Sequence, residues 1–150
     1  MRVLVTGSTG FVGRAVVARA VQDPGMDVWG SEQKAFGQGR KLRDPTFFRD
    51  LAPDTDWSEA LSGVDTVVHV AARVHIMNDL AADPLAEFRQ VNVAGTLALA
   101  RQAVQAGVRR FVFISTVKVN GESTLPGQPF TADDVPNPSD PYSVSKLEAE

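Results

Sequence analysis

At 150 residues, 43% of them hydrophobic and 22% charged, the chain has the size and composition of one soluble globular domain with a core of its own. A formal net charge of -3 gives no electrostatic ground for a nucleic acid or an anionic membrane as partner, and the absence of cysteine excludes disulfides, thiol catalysis and cysteine-ligated metals. No stretch approaches the ~18 consecutive apolar residues of a membrane span, and the first apolar run is too short for a signal peptide, so a cytoplasmic location is expected.

The first predicted element is a strand over Val3-Leu4-Val5. It leads into Gly7, Gly10 and Gly13 at G-x-x-G-x-x-G spacing, and an apolar pattern of helical period follows. Strand, glycine turn and helix in that order make the phosphate cradle of a dinucleotide-binding fold. Gly7 reverses the chain sharply, Gly10 leaves room for a pyrophosphate where a Cβ would stand, and Gly13 lets helix and strand pack closely. Unpaired N–H groups and the helix dipole then face the anion. Thr9, Phe11 and Val12 are counted with the glycines in this cofactor-binding turn.

The first helix is predicted from Val12 to Gln22, ended by Asp23-Pro24-Gly25, and the second strand from Met26 to Ser31. Glu32 then stands where such folds carry an acidic residue for the adenosine ribose, about 20 residues beyond the glycines. A carboxylate there accepts the ribose hydroxyls and repels a 2′-phosphate, which favours NAD. Lys34, Arg40, Lys41 and Arg43 could instead welcome the extra phosphate of NADP, and a solvated loop glutamate is the plain alternative. Residues 33–46 lack periodicity and read as a loop. Phe47–Leu51 is a weak third strand whose Asp50 either accepts from an adenine amino group or caps a turn. Trp57–Leu61 is a short helix capped by Asp56 or Ser58. Val64–Val70 is a near-continuous apolar run, the pattern of a parallel strand covered on both faces. His69 within it reads as a packed core histidine rather than a catalyst, while His75, in a predicted loop, is more open to a substrate role. The small side chains after it, in Val70-Ala71-Ala72, let a nucleotide lie against the backbone at the strand's carboxyl end. No metal site is proposed.

Asp83-Pro84 starts a long helix whose apolar stripe runs through Leu85, Phe88, Val91, Gly95, Leu99, Val104 and Ala106 to Gly107. Asn92 inside it is either a buried amide that positions a neighbouring loop or a polar face position. Val108–Ile114 is the fifth strand. Strand–helix alternation without hairpin signals predicts an α/β protein with a doubly wound parallel sheet and right-handed crossovers. Beyond the fifth strand, Tyr142 and Lys146 are one helical turn apart on a helix that begins near Pro141. An ammonium held near a phenol stabilises the phenolate and lowers its pKa toward the range of a general acid–base catalyst. Thr116, at a strand's carboxyl end, can offer a hydroxyl to the same substrate oxygen.

Thr6–Gly13 (TGSTGFVG), His69–Ala72 (HVAA), Asn92–Thr96 (NVAGT), Phe111–Thr116 (FVFIST) and Tyr142–Lys146 (YSVSK) together resemble the extended short-chain dehydrogenase/reductases, in the NAD-dependent epimerase/dehydratase group acting on nucleotide sugars. The resemblance covers the whole chain. It implies a Rossmann fold that binds NAD, with NADP as the alternative. It implies Thr116, Tyr142 and Lys146 as the catalytic set, Tyr142 exchanging a proton with a sugar hydroxyl or ketone and Lys146 also binding the nicotinamide ribose. It further implies Asp50 and Leu51 at the adenine, Val70, Ala71 and Ala72 along the nucleotide, and Asn92 supporting the active-site backbone. The 4,6-dehydratases of the family carry two acids directly after the catalytic threonine. Val117 and Lys118 stand there in this chain, so dehydration is disfavoured. A 4-epimerase or 4-ketoreductase of the UDP-sugar type is expected, similar to those of bacterial surface-polysaccharide synthesis. Members of the family continue past the tyrosine helix with further strands and a substrate domain, and often form homodimers. Residues 1–150 alone are therefore expected to bind cofactor with little turnover, and a non-catalytic dinucleotide-binding module is the alternative.

Overall fold

The computed structural model describes residues 1–32, 46–74 and 82–150. Five strands, β1 (Arg2–Thr6), β2 (Asp27–Glu32), β3 (Thr46–Phe48), β4 (Thr66–His69) and β5 (Arg110–Phe113), form one sheet in the order β3-β2-β1-β4-β5. Every pairing is parallel, with Thr6 opposite both Ser31 and His69, and His69 opposite Phe113. All carboxyl ends therefore open on one edge. The strand order reverses between β1 and β4, and in open α/β sheets that switch point is the crevice where ligands lie.

The helices are α1 (Phe11–Ala20), α2 (Ser58–Leu61), α3 (Pro84–Phe88), α4 (Thr96–Gln105) and α5 (Pro141–Ala149), and a π-helical segment, Arg89–Gly95, joins α3 to α4. Alternate residues of β1 feed two cores. Leu4 packs with Leu51, Trp57, Leu61, Val67, Leu99 and Ala103 on the face covered by α2 and α4. Val3 and Val5 pack with Val17 of α1 and Val28 of β2 on the other. Burial on both faces is the reason these strands read as continuous apolar runs instead of alternating ones.

Several predicted bounds shift, each for a local reason. The run Val64–Val70 contributes only Thr66–His69 to the sheet, since the Val64 N–H closes a turn on the Leu61 carbonyl at 3.1 Å. At its other end the Val70 N–H turns to the Thr6 hydroxyl at 3.2 Å. The third strand ends at Phe48, and Leu51 lies beyond it, drawn into the core. Helix α1 stops at Ala20, where the N–H groups of Gln22 and Asp23 bond three residues back. Asp83 caps α3 as expected, its carboxylate accepting the Ala86 N–H at 3.0 Å, and Asp56 accepts the Ser58 N–H at the start of α2 at 2.9 Å.

The stripe predicted through Val104 and Ala106 is corrected. Val104 is 77% exposed and Ala106 is exposed as well, while Ala103 joins the core with Leu99. The error arises within the regular helix α4: Ala103, four residues after Leu99, stays on the core face, whereas Val104, five residues after it, turns away.

Candidate active site

The glycine turn follows β1 at the carboxyl edge. Gly7 has φ +66°, and a Cβ on it would lie 2.9 Å from the backbone of Ala71, so the turn after β1 and the segment after β4 touch only because this residue has no side chain. At Gly13 a Cβ would come within 2.0 Å of the Gly7 carbonyl oxygen, which makes glycine obligatory where α1 meets the turn. Gly10 differs: a Cβ there meets only the Gly7 oxygen, at 3.2 Å. Among the described residues no acceptor takes the N–H of Phe11, Val12 or Gly13, at the amino end of a ten-residue helix. Phe11 is 89% exposed and Thr9 half-buried. Ser8, which the sequence did not single out, ties the turn to β2 by donating its N–H and its hydroxyl to the Ser31 carbonyl at 3.1 and 3.2 Å.

Glu32 is the last residue of β2, the neighbour of β1, and Asp50 is exposed just past the end of β3. Lys34, Arg40, Lys41, Arg43 and His75 lie outside the described residues.

His69 is fully buried between two threonines. Its Nδ1 lies 2.6 Å from Thr6 Oγ1 and its Nε2 lies 2.9 Å from Thr96 Oγ1. Thr6 Oγ1 also accepts the N–H groups of Val70 and Ala71, each at 3.2 Å, so its own proton is directed to Nδ1 and the imidazole donates from Nε2. Burial, and secondarily the Lys146 charge, push the imidazole pKa down to about 3. The ring is a neutral clamp that fixes the backbone of Val70 and Ala71 against the glycine turn.

Asn92 resolves to the first of its two readings. It is buried in the π-helical segment, accepting the Arg73 N–H at 2.8 Å and donating to the Arg73 carbonyl at 3.0 Å and to Ser145 Oγ at 2.9 Å. Ser145 passes the link on to the Tyr142 carbonyl at 2.7 Å. One amide thus joins the segment after β4 to α5. The widened helix is the local cost of that placement.

Helix α5 starts with a capping box: Asp140 accepts the Ser143 N–H at 2.8 Å, and Ser143 Oγ accepts the Asp140 N–H at 3.2 Å. The Lys146 ammonium, 2% exposed, donates to the Ile114 carbonyl at 2.7 Å and lies 4.0 Å from the centre of the Phe113 ring. Burial pushes it down to about 8. Tyr142 is half-buried with its ring edge-on to Phe88 at 6.2 Å. Thr116 Oγ1 accepts the Lys118 N–H at 3.3 Å, which leaves the hydroxyl proton free to donate. It lines, with Ser115, Asn120 and Asp134, a groove of about 410 Å³.

The expected depression of the tyrosine pKa is corrected. Burial first, and then the Asp140 carboxylate, hold the phenol above its ordinary range, with Lys118 pulling the other way. Lys146 is turned to the Ile114 carbonyl, so its charge serves the strand end and not the phenol.

Residues 3–150 match the NAD dependent epimerase/dehydratase family. The UDP-glucose 4-epimerase of Vibrio cholerae is 44% identical over 150 residues, covering 99% of this chain and 44% of that protein. This chain belongs to the NAD dependent epimerase/dehydratase family. Another relative, the dTDP-D-glucose 4,6-dehydratase of Mus musculus, is 32% identical over 99% of this chain and 44% of its own length. A short-chain dehydrogenase/reductase superfamily protein from Agrobacterium tumefaciens, solved with bound NAD, superposes with a TM-score of 0.77 at 34% identity, covering 99% of this chain and 43% of that one. The chain spans less than half the length of these epimerase/dehydratase relatives.

Within this epimerase/dehydratase framework the sequence missed the residues that hold others in place. Ser8, Asp140, Ser143 and Ser145 act through backbone hydrogen bonds that have no signature at the distance of a motif. Only the Asp140-Pro141 step and the serine at the third position of the helix could have signalled the cap. No helix among the described residues is long and apolar enough to cross a membrane.

Proposed function

We propose that the chain forms the nucleotide-binding part of an NAD-dependent enzyme that oxidises and reduces C4 of a nucleotide sugar, as a UDP-sugar 4-epimerase or 4-ketoreductase. The support comes from the Lys146 ammonium on the Ile114 carbonyl, which holds the helix bearing Tyr142 at the carboxyl end of β5, two residues from Thr116. The 44% identity to a UDP-glucose 4-epimerase favours the UDP sugar.

The residues present fit the dinucleotide. Three N–H groups that have no acceptor among the described residues, beside a glycine whose outward side is open, suit a pyrophosphate. Glu32 would take the adenosine ribose, Asp50 and Leu51 the adenine, Val70, Ala71 and Ala72 the length of the nucleotide, and Lys146 the nicotinamide ribose. When bound, NAD supplies a hydride acceptor and donor for the sugar carbon. Tyr142 would take the proton of the C4 hydroxyl in oxidation and return it to the ketone oxygen in reduction, with Thr116 donating to the same oxygen. The raised pKa keeps the phenol protonated in the free protein, which is the state that reduction needs. Val117 and Lys118 offer no carboxylate for removing a C5 proton, so a 4,6-dehydration is not supported.

The test is interconversion of UDP-glucose and UDP-galactose, and NADH consumption with a UDP-4-keto sugar, by the protein expressed from its gene. Turnover that falls about 10²- to 10⁴-fold in Tyr142→Phe is expected. NAD binding with no turnover on any nucleotide sugar would favour the non-catalytic module instead.

A further inference from the structure

Lys118 stands two residues after Thr116, in the 3₁₀ turn Val117–Val119, and none of the roles above uses it. Its ammonium contacts the Asp140 carboxylate and lies 3.2 Å from Glu122 Oε1, which accepts Ser139 Oγ at 2.7 Å. The other Asp140 oxygen caps α5 through the Ser143 N–H. The chain between these groups is drawn in as well, the Asn137 N–H bonding to the Val119 carbonyl at 2.9 Å. One ion pair therefore joins the turn that carries Thr116 to the first turn of the helix that carries Tyr142.

We propose that Lys118 is a positioning residue that clamps the cap of α5 to the Thr116 turn and neutralises the Asp140 carboxylate, two residues before Tyr142, so that the phenol can ionise during proton exchange. This rests on the reading of Tyr142 as the group that exchanges the proton.

An unpaired carboxylate close to a phenol penalises the phenolate, and a cation seated on that carboxylate cancels most of the penalty. Several charges surround α5. Glu87 and Arg89 belong to α3 and the π-helical segment, with Arg89 paired to Glu148 at 2.5 Å. Arg73 lies over the Phe88 ring at 5.3 Å. Lys146 faces Ile114, Glu150 ends the helix, and Glu122 is held by Lys118. Among the described residues, Asp140 and Lys118 are the two whose fields act on the phenol, after burial, and they act in opposite senses. A pair this exposed, 39% and 22% at the side chains, contributes little to stability, so its worth is to be sought in the proton transfer.

Tyr142 is the one tyrosine in residues 1–150, so tyrosinate absorbance reports its titration directly. In Lys118→Met the titration midpoint should move up, in Lys118→Arg it should stay, and in Asp140→Asn, which keeps a capping side chain, it should move down. The double variant Lys118→Met/Asp140→Asn should return close to the parent. An unmoved midpoint in folded Lys118→Met overturns the proposal. If that variant fails to fold, an unmoved midpoint in Asp140→Asn overturns it equally. In the turnover assay, Lys118→Met should lose about three- to tenfold in kcat at neutral pH with KM unchanged, recover at higher pH, and be rescued by arginine. A loss equal at every pH would mean a structural role only and contradict the proposal. Absence of turnover in the parent would sink the proposed function but leave the titration to decide the clamp. Turnover that needs Tyr142 but shows a parental pH profile in Lys118→Met would sink the clamp alone.

Discussion

The two ends of the carboxyl edge are made of different material. Beside β1 and β4 the site is backbone: glycines that touch carbonyls and Ala71, amides without acceptors among the described residues, and a neutral imidazole that steadies them. Beside β5 it is side chain on side chain, with a buried ammonium, a phenol raised in pKa, an amide reaching across from the π-helical segment and an ion pair at the cap. Amides can hold a phosphate without any charge being buried, whereas moving a proton needs charges kept where burial opposes them. Damage to the first end should therefore read out as lost fold or lost cofactor, and damage to the second as lost chemistry with the fold kept.

The strongest test of that contrast is Gly13→Ala against Gly10→Ala. A methyl 2.0 Å from the Gly7 oxygen must displace α1, and several kcal/mol of stability should go with it, seen as a collapse in the denaturation midpoint. The Gly10 methyl meets the same oxygen at 3.2 Å, so that variant should stay within about 1 kcal/mol of the parent and lose NAD affinity in a calorimetric titration. Equal effects at both positions would erase the distinction between a packing glycine and a ligand-facing one.

His69 gives the next largest effect, and it depends on pH. With a folded pKa of about 3 against 6.5 in the unfolded chain, the unfolded state takes up the proton first as pH falls. The stability that the neutral ring provides is complete above pH 6.5 and is lost as pH falls toward 3, on the order of 5 kcal/mol in all. Denaturant melts across that range should show a steeper acid loss in the parent than in His69→Gln. Matching slopes would contradict the neutral clamp.

Asn92→Ala should cost about 2–3 kcal/mol, because it strands the Arg73 backbone groups, and should lower turnover by misplacing α5. Lys146→Met should run the other way. The ammonium's folded pKa lies below its unfolded value, so the charged form opposes folding at every pH below about 8, and the opposition fades as pH rises toward 10.5. Replacing it should raise stability at neutral pH by about 1–2 kcal/mol while abolishing turnover.

The same contrast explains what could be read in the sequence. The β1 end is local: Gly7, Gly10 and Gly13 sit within one turn, and their spacing states the geometry. The parallel, doubly wound sheet followed from strand–helix alternation, and His69 was legible as a core residue because its neighbours are apolar. The β5 end is assembled from segments far apart in the chain. Tyr142 and Lys146 could be placed on one helix, but that Lys146 turns to Ile114, or that Asp140 and Lys118 meet, is settled by packing across 32 and 22 residues. Val104 was misassigned because its larger apolar side chain drew the stripe off its period: the core position four residues after Leu99 is filled by the small Ala103.

The claim on which the rest depends is that both ends of the edge serve one ligand. An amide chemical-shift titration of the labelled chain with NAD tests it most directly. The signals of Phe11, Val12 and Gly13 and those of Tyr142 to Lys146 should move together and fit a single dissociation constant. Movement confined to the glycine turn, with α5 silent at saturation, would contradict it.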